Sequence, residues 1–291
     1  MSDERFRALT EARVTSPGAV AEAAQTRKPA ASLLGEHGKL MMIAADHPAR
    51  GALRAGPDPL AMADRTELLD RLCLALSRPG VNGVLGTADI LEDLLLLGAL
   101  DEKVVVGSMN RGGLAGTAFE MDDRFTAYDA PSIKAAGWNG GKMLIRIDPE
   151  DPATVVTLEA CANAVSQLAG LSLTAMIEPF ISHRADGRVH NELTPEAMIR
   201  AMTVSAGLGT TSAYTWLKVP VVEDMERVMS ATTLPALILG GEVSADQDAA
   251  FVRWHQALKL PTVKGLVIGR SLLYPPNGDV AEAVDAAVSL L

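Results

Sequence analysis

The chain is poor in aromatics, in cysteine and in runs of a single charge sign. Only 4% of its 291 residues are Phe, Trp or Tyr, which predicts an aliphatic interior built from Ala, Leu and Val. Two cysteines, Cys73 and Cys161, supply neither a disulfide framework nor a cysteine-ligated metal cluster, and they fit a reducing compartment. Acidic residues outnumber basic ones by 36 to 26, for a net charge of −10, and there is no Lys/Arg block. That balance argues against nucleic acid or an anionic membrane surface as partner. The longest apolar run, residues 90–100, is too short to span a bilayer and is broken by Glu92 and Asp93. The opening MSDERFRALTEARV is charged and lacks the apolar core of a signal peptide. Together these absences predict a soluble, cytoplasmic globular protein. The 48% of hydrophobic residues are enough for a large core.

At about 150 residues per domain the length suggests two domains, but an α/β barrel takes about 250 as one. Residues 1–38 are polar and Ala-rich, interrupted at Ser16-Pro17-Gly18 and Lys28-Pro29, and predict two short helices ahead of the main domain. From Lys39 onward, short apolar runs alternate with longer amphipathic stretches. The runs are 40–45, 81–85, 104–107, 143–147, 173–177, 214–219, 236–239 and 265–268. Near-continuous apolar character is what parallel strands covered on both faces require. Helices are expected at 61–77, 152–169, 194–207, 223–230 and 247–260. Start signals stand at Asp58-Pro59, Asp151-Pro152 and Thr194-Pro195, each a cap residue before proline. Eight such units favour an α/β fold of the (β/α)8 TIM-barrel type, with 1–38 as a helical extension and 39–291 as the barrel. The competing doubly wound sheet lacks its G-x-G-x-x-G after the first run.

Barrel chemistry sits at the C-terminal ends of the strands. Here those ends carry Asp46, Arg111, Lys142, Arg146, Glu178, Lys218 and Arg270. Lys218 is the most telling, because it lies inside an apolar run where a lysine has no solvent to reach. A buried ammonium is costly unless it is paired or neutral. Desolvation and a neighbouring cation both favour the neutral amine that can form a Schiff base. A salt bridge to Asp46 or Glu178 is the structural alternative, and Lys142 and the two carboxylates on other strands tip the balance toward chemistry. Glu178 is placed to shuttle protons, or else to serve as counter-ion to Lys142, Arg146 or Lys218. Asp46 could orient a substrate hydroxyl or merely cap the following turn.

Gly240, Gly241 and Gly269, at the ends of the seventh and eighth runs, would let backbone N–H groups approach a phosphate, and Arg270 could add a bidentate fork. Arg50, Arg111 and Arg146 are more cations than a neutral aldehyde needs, which suggests a second anionic group unless they pair with Asp122, Asp123 or Asp148. Residues 120–128 form an acidic segment that could act as a lid. His47, His183, His190 and His255 show no zinc spacing, and no G-x-S-x-G elbow occurs, so no metal or cofactor is expected.

Asp46 in AADHPARGAL, Lys142 in GKMLIRID, Glu178 in AMIEPF, Lys218 in YTWLKVP and the segment GLVIGRSLL resemble the class I aldolases of the deoxyribose-phosphate/tagatose-bisphosphate aldolase superfamily. The segment from Val104 to Ala130 also resembles an actinobacterial (β/α)8 group associated with inositol catabolism. The resemblance implies metal-independent C–C cleavage or condensation through an imine on Lys218, with Glu178 as general acid/base and Asp46 at the substrate hydroxyl. Lys142 would be the neighbouring cation and bind a substrate oxygen, while Gly241, Gly269 and Arg270 would hold phosphate. Under that resemblance the substrate is a phosphorylated small molecule. The named candidate is 5-dehydro-2-deoxy-phosphogluconate, cleaved to dihydroxyacetone phosphate and malonic semialdehyde. Alternatives are another ketose phosphate, such as tagatose or fructose bisphosphate, and a non-catalytic sugar-phosphate-binding barrel. A homo-oligomer is compatible with the Ala-rich N-terminal segment.

Overall fold

The computed structural model describes residues 3–35, 37–243 and 246–291. Residues 1, 2 and 36 of the expected extension, and 244 and 245 of the expected barrel, lie outside the described residues. Two helices, α1 (Asp3–Thr15) and α2 (Ala19–Thr26), come first, parted at Pro17-Gly18 as the sequence predicts. The chain continues through β1 (Leu40–Ala44), α3 (Arg65–Ser77), β2 (Gly83–Gly86), α4 (Ala88–Leu96) and β3 (Val104–Ser108). Next come α5 (Ala130–Ala135), β4 (Gly140–Ile147), α6 (Ala153–Gly170), β5 (Thr174–Ala185) and β6 (Arg188–Asn191). It ends with α7 (Pro195–Ala206), β7 (Thr215–Val219), α8 (Met225–Met229), β8 (Ala236–Leu239), α9 (Gln247–Leu258), β9 (Val263–Ile268), α10 (Arg270–Leu273) and α11 (Val280–Val288).

Eight of the strands are parallel and close on themselves in the order β1-β2-β3-β4-β5-β7-β8-β9, with β9 returning to β1. This is a TIM barrel. Its strands read as apolar runs because helices cover one side and the packed barrel interior the other; Met41, Met42 and Ile43 of β1 are all fully buried. Alternate residues therefore point inward, and toward the C-terminal ends they include the charged Lys142, Glu178 and Lys218.

Several boundaries differ from expectation for local reasons. The helix expected at 61–77 starts at Arg65, because Asp64 rather than Asp58 caps it, accepting from the Glu67 N–H at 2.9 Å. Asp58 instead closes a turn, accepting from Leu60 N–H at 2.8 Å. Thr194 caps α7 as expected, with Pro195 in first position. The fourth strand starts three residues before position 143. Gly140 and Gly141 belong to it, and a Cβ on Gly140 would lie 2.3 Å from the Thr174 carbonyl oxygen. The fifth run does not stop at 177. It continues to Ala185 and folds back antiparallel as β6 through Asp186 and Gly187, at φ 51 and 73. Two consecutive positive φ values are those of a two-residue type I′ hairpin.

The charges interrupting the 90–100 run face the extension. Arg13 of α1 meets Asp93 at 2.7 Å and Glu92 at 3.2 Å. Arg27, just past α2, donates to the carbonyls of Leu100, Lys103 and Gly137 and lies 5.2 Å over the Trp138 ring. Among the described residues, no helix is long and apolar enough to cross a membrane.

Candidate active site

The C-terminal ends of the strands surround a cavity of about 490 Å³. Strand alternation decides which side chains reach it: Lys142, Leu144 and Arg146 from β4, Glu178 and Phe180 from β5, Lys218 from β7. Lys218 Nζ donates to Glu178 Oε1 at 2.8 Å, and Lys142 Nζ meets Glu178 Oε2 at 2.5 Å. Lys142 also donates to Asp46 Oδ2 at 3.1 Å. The same Asp46 oxygen accepts from Arg111 and from Ser108 Oγ. The four residues singled out as catalytic in the sequence thus form one connected cluster: Asp46, Lys142, Glu178 and Lys218, all at most 9% exposed.

Burial disfavours ionised Glu178, but Lys142 and Lys218 outweigh it and hold the carboxyl well below the usual carboxylate range. Burial likewise opposes the Asp46 charge, and Arg111, Lys142 and Lys218 together hold that carboxyl low. Lys142 goes the other way. Burial pushes it down to about 8, despite Asp46 and Glu178, with Lys218 and Arg111 adding to the shift. The cluster therefore rests as two carboxylates among cations, one of which titrates near neutral pH.

The extra arginines line the cavity, and three of them are paired inside the protein. Arg111 binds both the backbone and the side chain of Asp46. Arg50 forms an ion pair with Asp123, and Arg146 meets Glu120 Oε1 at 2.9 Å. Of the arginine pairings with Asp122, Asp123 or Asp148 weighed from the sequence, Arg50 with Asp123 is the one that forms among the described residues. The acidic segment 120–128 is consequently held down through buried Glu120 and Asp123 and does not stand free over the site. Glu120 Oε2 also accepts from the Gly116 N–H at 2.8 Å. In Glu120→Gln the amide oxygen stays with the Arg146 guanidinium, so the NH2 group faces the Gly116 N–H, donor against donor. Urea denaturation is expected to show a loss of about 1–3 kcal/mol, and hydrogen exchange a faster Gly116 amide. Unchanged exchange at Gly116 would show that Glu120 does not hold the loop.

Gly240, Gly241, Gly269 and Arg270 share one wall of the cavity. Among the described residues, Arg270 is the one cavity arginine with no carboxylate within salt-bridge distance. It donates only long bonds to the Arg54 and Gly241 carbonyls, at 3.3 and 3.5 Å. Glu242, beside this wall, is exposed. The opposite rim comes from the β5–β6 hairpin, which brings His190 and Asn191 to the cavity. Neither was expected there; the Asp186-Gly187 pair is the sequence signal that would have located them. Among the described residues, no group of three His, Cys, Asp or Glu could hold a metal ion.

The family model described as Cgl0159-like matches residues 38–288. The crystal structure of Cgl0159 from Corynebacterium glutamicum (Brevibacterium flavum) is 54% identical over 100% of this chain and 97% of that one, with a TM-score of 0.97. A Schiff base-forming fructose-1,6-bisphosphate aldolase is 18% identical, covering 93% of this chain and 99% of its own, at TM-score 0.65. An archaeal fructose-1,6-bisphosphate aldolase, whose catalytic Lys is covalently bound to the carbinolamine intermediate, is also 18% identical, over 93% and 98%, at TM-score 0.65. At that identity the two aldolases share the fold alone. No curated protein matches the chain. A family match spanning most of the sequence and a 54% identical relative along its whole length place this chain in the Cgl0159-like family.

Proposed function

We propose that this protein is a class I aldolase that makes or breaks a C–C bond in a phosphorylated ketose or ketose acid through an imine on Lys218. The observation that carries this reading is the buried Lys218–Glu178–Lys142–Asp46 cluster at the floor of the cavity. Similarity of fold to Schiff-base aldolases supports it. Glu178 rests as a carboxylate 2.8 Å from Lys218, so it enters as a base, taking the ammonium proton. The freed amine adds to the substrate ketone. The proton on Glu178 then goes to the carbinolamine oxygen, which leaves as water and gives the iminium. Asp46 accepts the proton of the hydroxyl on the neighbouring fragment as the C–C bond breaks. The bonding pair moves into the enamine and an aldehyde departs. Protonation of the enamine and hydrolysis return the second product and the free lysine.

Arg270, which has no carboxylate partner among the described residues, and the glycines around it suit a phosphate on the product that stays on the lysine. At the other side, Arg146 lines the cavity, paired with Glu120. A second anionic group on the substrate is therefore compatible with the site, and 5-dehydro-2-deoxy-phosphogluconate is our candidate. Sodium borohydride with dihydroxyacetone phosphate should add the mass of one reduced adduct to the intact protein. Release of dihydroxyacetone phosphate from 5-dehydro-2-deoxy-phosphogluconate would support the finer reading, and turnover confined to fructose or tagatose bisphosphate would replace it. No adduct with any ketose phosphate would leave a binding barrel as the better account.

The pH profile gives a separate check. Lys142 must be charged to hold Glu178 and Asp46 in place, and with burial pushing it down to about 8 it loses its proton as pH rises past that point. kcat/KM is expected to fall above pH 8, and Lys142→Arg to move that limb upward. A profile flat through pH 9 would remove Lys142 from the working cluster.

A further inference from the structure

His47 directly follows Asp46, and none of the roles assigned above uses it. Its ring lines the cavity between the chemical cluster and the anion wall. On one side its Nδ1 lies 3.9 Å from Asp46 Oδ1, too far for a hydrogen bond, and is buried without a partner. On the other, its Cε1 lies close against the Gly269 backbone: a Cβ built on Gly269 would come within 2.9 Å of it. Nε2 makes no hydrogen bond among the described residues, and His47 is part of the cavity lining. The donors from Ser108, Arg111 and Lys142 all go to the other oxygen, Asp46 Oδ2.

We propose that His47 is a positioning residue of this site, which donates from Nε2 to the anionic end of the substrate and sets its distance from Lys218. The proposal rests on the aldolase reading for the identity of the substrate, but anion recognition by His47 can be tested without it. Charged groups face the ring from four elements: Asp46 after β1, Lys142 on β4, Lys218 on β7 and Arg270 at the start of α10. Burial, opposed by Asp46 and reinforced by Arg270, Lys218 and Lys142, pushes His47 down to about 3, so the empty site holds a neutral ring. A neutral imidazole carries one N–H, and an anion beside Arg270 selects the tautomer with the proton on Nε2. With the ring packed beside Gly269, the residue before Arg270, this N–H and the Arg270 guanidinium would serve the same oxygen-rich group. Gly269 is then required for a second reason besides backbone approach: any side chain there would displace the imidazole.

The test exploits the two ring nitrogens. A glutamine amide places its donor near the position of Nε2, whereas asparagine places it near Nδ1. Sulfate, a dianion that does not titrate between pH 5 and 8, serves as the probe, with binding followed by calorimetry. His47→Gln is expected to bind within about threefold of the unaltered protein, and His47→Asn and His47→Ala to lose roughly ten- to a hundredfold. Borohydride trapping with dihydroxyacetone is run beside trapping with dihydroxyacetone phosphate, and the advantage of the phosphate should persist in His47→Gln and shrink in His47→Asn and His47→Ala. Equal sulfate affinity in the Gln and Asn variants, or no sulfate binding by the unaltered protein, would overturn the proposal. Loss of trapping with dihydroxyacetone in His47→Gln would do so as well, by showing damage to the site rather than loss of one donor. If the unaltered protein traps no ketone at all, the aldolase reading fails, and the sulfate series still decides whether His47 binds anions.

Discussion

Lys218→Met is expected to abolish the borohydride-trapped adduct and to lower turnover by about 10⁴-fold or more, since the covalent route is lost and only binding remains. Methionine matches the length of the lysine stem, so the walls of the barrel keep their packing. Glu178 is not stranded by the change, because Lys142 still meets its other oxygen at 2.5 Å. The variant should therefore fold, and a melting curve close to that of the unaltered protein separates lost chemistry from lost structure. The geometry also names the one rival nucleophile. Lys142 is buried in the same cluster, and its position at about 8 leaves it partly neutral near neutral pH. Lys218 is favoured because it commits to a single acceptor, Glu178 Oε1, whereas Lys142 is held between Glu178 and Asp46. Trapping by Lys218→Met but not by Lys142→Met would reverse the two roles.

How far the sequence anticipated this site depended on what each residue had to be surrounded by. Lys218 stood out because a charge inside an apolar strand needs a partner, and its partner proved to be Glu178. The barrel was legible for the same reason: strands buried on both faces lose the alternation that would make them read as anything else. Lys142 lies one position ahead of its apolar run, which begins at Met143. The true strand start is a pair of glycines, Gly140 close against the Thr174 carbonyl of β5 and Gly141 against the Met109 and Ile133 side chains, and glycine carries no strand signal of its own. The hairpin was not anticipated because the apolar run stops at Ile177, while the strand goes on through Pro179 and the polar Ser182, His183 and Arg184. The arginines show a deeper limit. Arg50 and Arg146 are separated from Asp123 and Glu120 by 73 and 26 positions, and no local pattern reveals that a loop returns to neutralise them.

Asp46→Ala carries the largest expected cost in stability, about 3–5 kcal/mol, because it removes the acceptor shared by a buried guanidinium and a buried ammonium. Arg111 would keep only Ser108 and a backbone carbonyl, and Lys142 only Glu178. Urea unfolding at pH 7 measures the loss, and its pH dependence identifies the cause. An unfolded aspartate titrates near 3.9, and the folded Asp46 carboxyl is held well below its ordinary value by Arg111, Lys142 and Lys218 against the opposing effect of burial. Between those two values the unfolded chain binds more protons than the folded one, so stability falls as pH falls. The stabilisation from Asp46 is complete above about pH 5 and drains away below pH 4. The gap between the unaltered protein and Asp46→Ala should therefore narrow on acidification. Glu178 contributes an acid limb of the same sign to both proteins, which is why the difference, and not either curve alone, carries the answer. A gap constant from pH 7 to pH 3 would mean that Asp46 stabilises the barrel by packing rather than by charge, and would leave the cationic cluster without its anchor.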